Sequence, residues 1–100
     1  MEIKKSVEGD KLTVKIIGRL DSNTSPDLEN GAKADVEAAK EIFLDFSELE
    51  YVSSAGLRVI LTFQKLATAH GAKMTIQHVN DDVMAVFDMT GFSSYLTIVD

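Results

Sequence analysis

Two adjacent serines, Ser53 and Ser54, stand where an apolar segment gives way to a helical pattern. Asp45 closes the apolar segment before them, and the small residues Ala55 and Gly56 follow them. A hydroxyl at a helix N-terminus has two ordinary uses: it caps backbone N–H groups, or it accepts a phosphate as part of a switch. The function of the chain depends largely on which of these uses applies.

The capping interpretation fits Ser53, the expected N-cap, at about 1 kcal/mol of stability. It leaves Ser54 unexplained, because small residues after it would leave the first helical turn open to another molecule. Asp21 and Asp45 each come just after a predicted strand. Either they face the same sheet edge and belong to the surface around Ser54, or they are only solvated acids in turns. The residues alone leave both alternatives open.

Enzymatic chemistry finds no support in the motifs. Ser54 is not in a Gly-x-Ser-x-Gly elbow, since Val52 stands at the first glycine position. His70, expected on the surface at a helix end, and His78, expected half-buried in a strand, have no spacing that pairs them with Ser54 and an orienting carboxylate. No zinc or calcium spacing and no glycine-rich phosphate loop is present. We therefore expect no catalysis, no metal and no cofactor.

Size and charge narrow the class of protein further. A chain of 100 residues predicts a single domain over residues 1–100. The net charge of −6 disfavours nucleic acid and favours a protein partner with a basic patch. There are no cysteines, Met1–Lys5 lacks the apolar core of a signal peptide, and no uncharged run approaches the roughly 20 residues of a membrane span. A cytoplasmic protein without membrane insertion is expected.

Hydrophobic periodicity predicts the elements that position these residues. Alternating apolar residues on either side of Gly9 and Asp10 indicate an antiparallel hairpin. Ser47–Glu50 is predicted to be a turn. The other predicted elements are a helix capped by Ser25, a strand at Ile42–Phe46, a helix from Ser54 to about Ala69, a strand around Met74–Ile76, a helix capped by Asn80 and ended by Gly91, and a last strand within Tyr95–Val99.

The predicted order is β-β-α-β-α-β-α-β. Strands separated by helices pair in parallel through right-handed crossovers, and the first hairpin adds an antiparallel pair. The sequence therefore predicts an α/β fold, with a mixed sheet of four to five strands and helices packed mainly on one face.

Three segments resemble one known family. Val52–Leu57, following Leu44–Phe46, resembles the signature of the STAS family, which comprises the anti-sigma factor antagonists and their relatives. Gly18–Asp21 and Val86–Phe92 match at corresponding places. The similarity covers essentially the whole chain, and the chain is identified as a member of that family with the STAS-like element order.

The resemblance implies a bacterial, cytoplasmic binding module that takes part in a partner switch and is not an enzyme. In such a switch the unphosphorylated antagonist binds an anti-sigma factor that is also a serine/threonine kinase, and the sigma factor is freed. The kinase then phosphorylates the antagonist and the complex separates, until a metal-dependent serine phosphatase resets it. The family's acceptor lies two residues before the glycine, which is Ser54 here.

Ser53 is the rival acceptor, because it and Ala55 stand where the antagonists usually carry aspartate and Ser or Thr. The partner-binding residues that the resemblance implies are Asp21, Asp45, Ser53, Ser54, Gly56 and Arg58. Gln64 is a further outward candidate. Met84 and Met89 either extend a hydrophobic partner surface or fill the core.

Two other functions stay open at this stage. One is a STAS accessory or scaffold subunit of a transport or other regulatory complex, without phosphorylation. The other is a small-molecule or nucleotide sensor, for which the chain shows no pocket signature.

Overall fold

The computed structural model describes residues 1–99 and confirms the α/β class. Within those residues it contains six strands and three α-helices. The strands are β1 Glu2–Glu8, β2 Lys11–Leu20, β3 Glu41–Asp45, β4 Leu49–Val52, β5 Lys73–Gln77 and β6 Ile98–Val99. The helices are α1 Ser25–Ala38, α2 Ser54–Ala69 and α3 Asp81–Thr90, and a 3-10 turn at Phe92–Ser94 precedes β6.

The strands form one mixed sheet in the order β1-β2-β3-β5-β6, with β4 beside β2. β1 and β2 pair antiparallel through the predicted hairpin, where Gly9 has a φ of 60°. The other pairings are parallel. β2 is the longest strand: its first part lies between β1 and β3, and its last residues pair with β4.

β4 was not predicted, and it brings the strand count to six within residues 1–99. The turn predicted over Ser47–Glu50 ends at Glu48, after which Leu49 pairs with Gly18 of β2. The register then shifts, so that Glu50 forms a bulge. Only the two ends of this strand, Leu49 and Val52, are buried. The sequence therefore lacks the alternation by which a half-buried strand is recognised.

The core lies between the sheet and the helices. Leu12, Val14 and Ile16 alternate along β2 and are buried, whereas Thr13 and Lys15 between them remain partly exposed. The helices place one apolar face against this side of the sheet; its buried residues include Leu28, Ala32 and Val36 of α1 and Ile60, Phe63 and Ala67 of α2. This arrangement confirms that the helices pack mainly on one face.

Asn80 joins α3 to the sheet. Its Oδ1 accepts a hydrogen bond from Val83 N at 2.8 Å, which confirms the predicted cap. Its Nδ2 donates to the Leu49 carbonyl at 2.7 Å. At the other end of α3, Gly91 has a φ of 78° and ends the helix as predicted.

Candidate functional site

The candidate site is built around the start of α2, where Ser53 is the N-cap. The backbone of Ser53 is extended, and its Oγ accepts a hydrogen bond from Gly56 N at 3.3 Å. Its own N–H donates to the Leu20 carbonyl at the end of β2, at 2.9 Å. The predicted cap is confirmed, and the same residue connects the start of α2 to the end of β2.

Ser54 is the first residue of α2 and its side chain is exposed. Its hydroxyl makes no hydrogen bond to any other residue within 1–99, so it is available to another molecule. The positive end of the helix macrodipole and the unpaired N–H groups of the first turn lie beside it, a setting that favours an added anion. The two adjacent serines thus have different surroundings.

The sequence suggested that Gly56 would leave the first turn of α2 open to another molecule, but the structure shows otherwise. The residue is buried, and a Cβ atom at this position would lie 2.8 Å from Leu20 Cγ and 2.9 Å from the Leu20 carbonyl oxygen. Its lack of a side chain allows α2 to approach the end of β2. Gly56, which the resemblance placed in the partner surface, is therefore buried between α2 and β2.

Asp21 uses its carboxylate to shape the loop between β2 and α1. Its Oδ1 accepts hydrogen bonds from Thr24 N at 3.1 Å and Asn23 N at 2.9 Å, and these bonds hold the pKa of the Asp21 carboxyl below its ordinary value. The Ser25 cap prediction was wrong: Ser25 is the first helical residue, buried, and its Oγ donates to the Asp21 carbonyl at 2.5 Å. The Asp21 loop lies beside the start of α2, because the preceding residue, Leu20, accepts a hydrogen bond from Ser53 N.

Asp45 does not meet Asp21 at one sheet edge. It pairs in register with Lys15 of β2, and Asp21 lies six residues further along the chain than Lys15. At the usual rise per strand residue this separates the two acids by about 20 Å. The Asp45 Oδ1 accepts a hydrogen bond from Ser47 N at 2.9 Å and shapes the β3–β4 turn. The structure therefore joins Asp21, but not Asp45, to the serine pair.

Two cationic side chains occupy this end of the molecule. The Arg19 guanidinium lies over the Tyr51 ring, 4.2 Å from its centroid, a contact that the sequence analysis missed. Only the register between β2 and β4, which places Arg19 opposite Tyr51, reveals it. Arg58 is exposed on α2, as expected.

Gln64, the other residue expected to face outward, is half-buried, and its Nε2 donates to Thr68 Oγ1 at 3.2 Å.

Of the two histidines, His70 lies far from the serine pair, and His78 lies outside regular secondary structure. His70 is the exposed C-cap of α2, sixteen residues beyond Ser54, which is about 24 Å along a helix. Its ring nitrogens contact the carbonyl oxygens of Leu66 and Ala39 at 2.6 and 2.8 Å. The expectation of a half-buried His78 in a strand was wrong, since His78 is exposed after β5 with a φ of 61°.

The two methionines differ in exposure. Met84 packs partly against the core, whereas Met89 at the end of α3 is 82% exposed. Core filling therefore describes Met84 only.

No group of three or more histidine or carboxylate side chains in the described part of the chain could hold a metal ion. Among residues 1–99, no helix is long and apolar enough to cross a membrane.

Comparisons with known proteins agree with this fold. Residues 3–99 match a family model described as Mlab, STAS domain. The anti-sigma F factor antagonist of Paenibacillus polymyxa is 31% identical over 91 residues, which cover 89% of this chain and 78% of that protein.

Two solved structures of SpoIIAA share the fold. The anti-sigma factor antagonist SpoIIAA in its unphosphorylated form superposes with a TM-score of 0.84 at 16% identity, covering 99% of this chain and 89% of that one. The phosphorylated form of the Bacillus cell fate determinant SpoIIAA gives a TM-score of 0.77 at 15% identity, covering 99% and 92%.

Proposed function

The chain belongs to the STAS domain family, and from this premise we propose that it is an anti-sigma factor antagonist that works by partner switching. Unphosphorylated, it binds an anti-sigma factor that is also a serine/threonine kinase. Phosphorylation at Ser54 ends that complex, and a serine phosphatase restores the binding form. The whole of residues 1–100 acts as one domain, and it acts as a substrate and binding module, not as an enzyme.

The observation that carries this proposal is the difference between the two serines. Ser53 Oγ is engaged as the cap of α2, whereas Ser54 is exposed and its hydroxyl makes no bond within the described residues. An acceptor must enter the active site of the kinase, and only a hydroxyl free of such contacts does so without uncapping the helix. Ser54 is therefore the proposed acceptor, and Ser53 is its support.

The transfer places no catalytic demand on this chain. The Ser54 Oγ attacks the γ-phosphorus of ATP held by the kinase, ADP leaves, and the hydroxyl proton passes to a base of the kinase. The phosphatase later hydrolyses the phosphate ester with water. Both reactions require only that the helix N-terminus stay exposed and ordered, which Ser53 and the Leu20 contact support.

The phosphate acts on the interface and leaves the fold in place. It adds roughly −1.5 to −2 charges at a helix N-terminus, where backbone N–H groups and the dipole receive anions. In the complex the same group must be desolvated against the kinase. A penalty of about 3–4 kcal/mol would weaken binding by two to three orders of magnitude.

The proposed partner surface consists of the Asp21 loop, the serine pair and the exposed face of α2 that carries Arg58. Asp45 is set aside from it because of its distance along β2. The net charge of −6 favours a partner with a basic patch beside this surface.

A scaffold role without phosphorylation is the second candidate. It is favoured by Ser53, which stands where the antagonists carry an aspartate and which is occupied as a cap. In that role the same surface would bind a subunit of a transport or regulatory complex.

Binding measurements separate these candidates. The partner is captured from native lysate with the wild-type chain, and its affinity is then measured by calorimetry. Under the proposal, Ser54→Asp weakens binding at least about 100-fold while circular dichroism stays unchanged, and the isosteric, uncharged control Ser54→Asn stays within a few-fold of wild type. An Asp variant that binds like the Asn variant would reject the phosphoswitch and leave the scaffold role.

A further inference from the structure

Ser54 and Arg58 are neighbours on the exposed face of α2. They occupy positions i and i+4 of a helix that runs from Ser54 to Ala69, and both side chains are exposed. Residues at this spacing have Cβ atoms about 5–6 Å apart. An anion placed N-terminal to a cation is the more favourable orientation of such a pair. A negative group on Ser54 would therefore face Arg58.

Arg58 is free to turn toward that group. The ion pairs within residues 1–99 use Lys4, Lys5, Lys15 and Lys40, and none includes Arg58. Only its backbone is engaged, since its carbonyl oxygen accepts a hydrogen bond from Thr62 Oγ1 at 2.9 Å. Within residues 1–99, no side-chain ion pair must be broken for the guanidinium to swing toward the helix start.

Two other charged side chains near the end of β2 are already engaged. On β2, the Arg19 guanidinium is stacked on the Tyr51 ring at 4.2 Å. In the loop after β2, the Asp21 carboxylate accepts the N–H groups of Thr24 and Asn23. Of the two arginines, Arg58 is thus the one that a phosphate on Ser54 would recruit.

We propose that Arg58 binds the phosphate on Ser54 within α2, an inference that rests on the proposed function. The planar guanidinium offers two parallel N–H donors to two phosphate oxygens. Before modification Arg58 is open to an acidic group of the partner; after modification it is held by the phosphate. Phosphorylation therefore adds an anion to the partner surface and removes a cation from it.

The phosphate ionisation tests this contact without a kinase. Phosphoserine is installed at position 54 during translation, and its second ionisation, near pH 6 in a free phosphoserine, is followed by ³¹P NMR at 0.15 M salt. We expect Arg58→Gln to move the midpoint up by about 0.2–0.4 pH units, from the strength of an i, i+4 ion pair. Arg58→Lys should recover part of the shift.

Lys65→Gln is the matched control. It also removes one positive charge from an exposed position of α2. Lys65 lies eleven residues from Ser54, about 16 Å along the helix, which exceeds the Debye length of about 8 Å. Its midpoint should equal that of wild type.

Equal midpoints for wild type and Arg58→Gln, or a shift produced by Arg19→Gln in place of Arg58→Gln, would overturn the inference. Either result leaves the proposed function standing, because no partner takes part. Conversely, a kinase that fails to modify Ser54 would overturn the proposed function while the NMR comparison still reports on Arg58.

Discussion

Gly56 lies against Leu20 with no room for a side chain between them. A Cβ atom at position 56 would come within 2.8 Å of Leu20 Cγ. The Ser53 N–H bond to the Leu20 carbonyl, at 2.9 Å, completes the contact between the two elements. The end of β2 therefore fixes where α2 begins, and with it the position at which Ser54 is exposed.

Gly56→Ala should lower the free energy of unfolding by about 1–3 kcal/mol, the usual cost of overpacking a closely fitted site. Alanine favours a helix over glycine by about 1 kcal/mol, so any destabilisation must come from the clash with Leu20. Urea unfolding followed by circular dichroism measures the change.

Gly31→Ala is the matched control. Gly31 is an exposed residue of α1, and a Cβ atom there would meet only Ile3 Cδ1, at an ordinary 3.9 Å. This substitution should raise the free energy of unfolding by about 0.5–1 kcal/mol. If both alanine variants are stabilised alike, the close contact at Gly56 does not exist.

Local signals in the sequence were sufficient for the three helices and for the caps of α2 and α3, but not for the cap of α1. Ser53, Asn80 and Gly91 act through neighbours within a few residues, so their roles as two N-caps and a helix end could be predicted. The function of Gly56 depends on Leu20, which is distant in sequence. The small residues after Ser54 show only that no large side chain stands there. From the sequence alone, an open helical turn and a tight contact with another element cannot be distinguished.

Pairing over long range accounts for the other differences. β4 is a strand because Leu49 and Val52 lie beside the far end of β2, not because four residues favour an extended chain. Asp21 was correctly predicted to follow its strand, whereas Asp45 is the last residue of β3. β2, however, extends to Leu20, well beyond the end of β3, and this carries Asp21 away from Asp45.

Alanine substitution of the two serines should separate cap from acceptor. Ser53→Ala removes the acceptor of the Gly56 N–H and should cost about 0.5–1 kcal/mol, the low end for a cap, since the bond is long at 3.3 Å. Ser54→Ala should change stability by less than about 0.5 kcal/mol, as is usual for an exposed side chain. Paired urea titrations compare them, and a Ser54→Ala loss equal to that of Ser53→Ala would contradict their assigned roles.

The Asp21 loop should make stability depend on acid pH. Hydrogen bonds from Thr24 and Asn23 lower the pKa of the folded carboxyl, so its contribution is fully present above the unfolded value of about 3.9 and is lost as pH falls through the folded pKa. Asp21→Asn should therefore be less stable than wild type at pH 7, and the gap should shrink below pH 4. Urea unfolding at pH 7, 5 and 3 measures it, and a gap independent of pH would refute the carboxylate's role.

Phosphate mapping shows directly whether Ser54 is the phosphate acceptor. The chain is incubated with its partner kinase and ATP, and tandem mass spectrometry of the peptides locates the modification in wild type, Ser53→Ala and Ser54→Ala. We expect one phosphate on Ser54 in wild type and in Ser53→Ala, and none in Ser54→Ala. A wild-type chain that stays unmodified, or that carries its phosphate on Ser53, would contradict it.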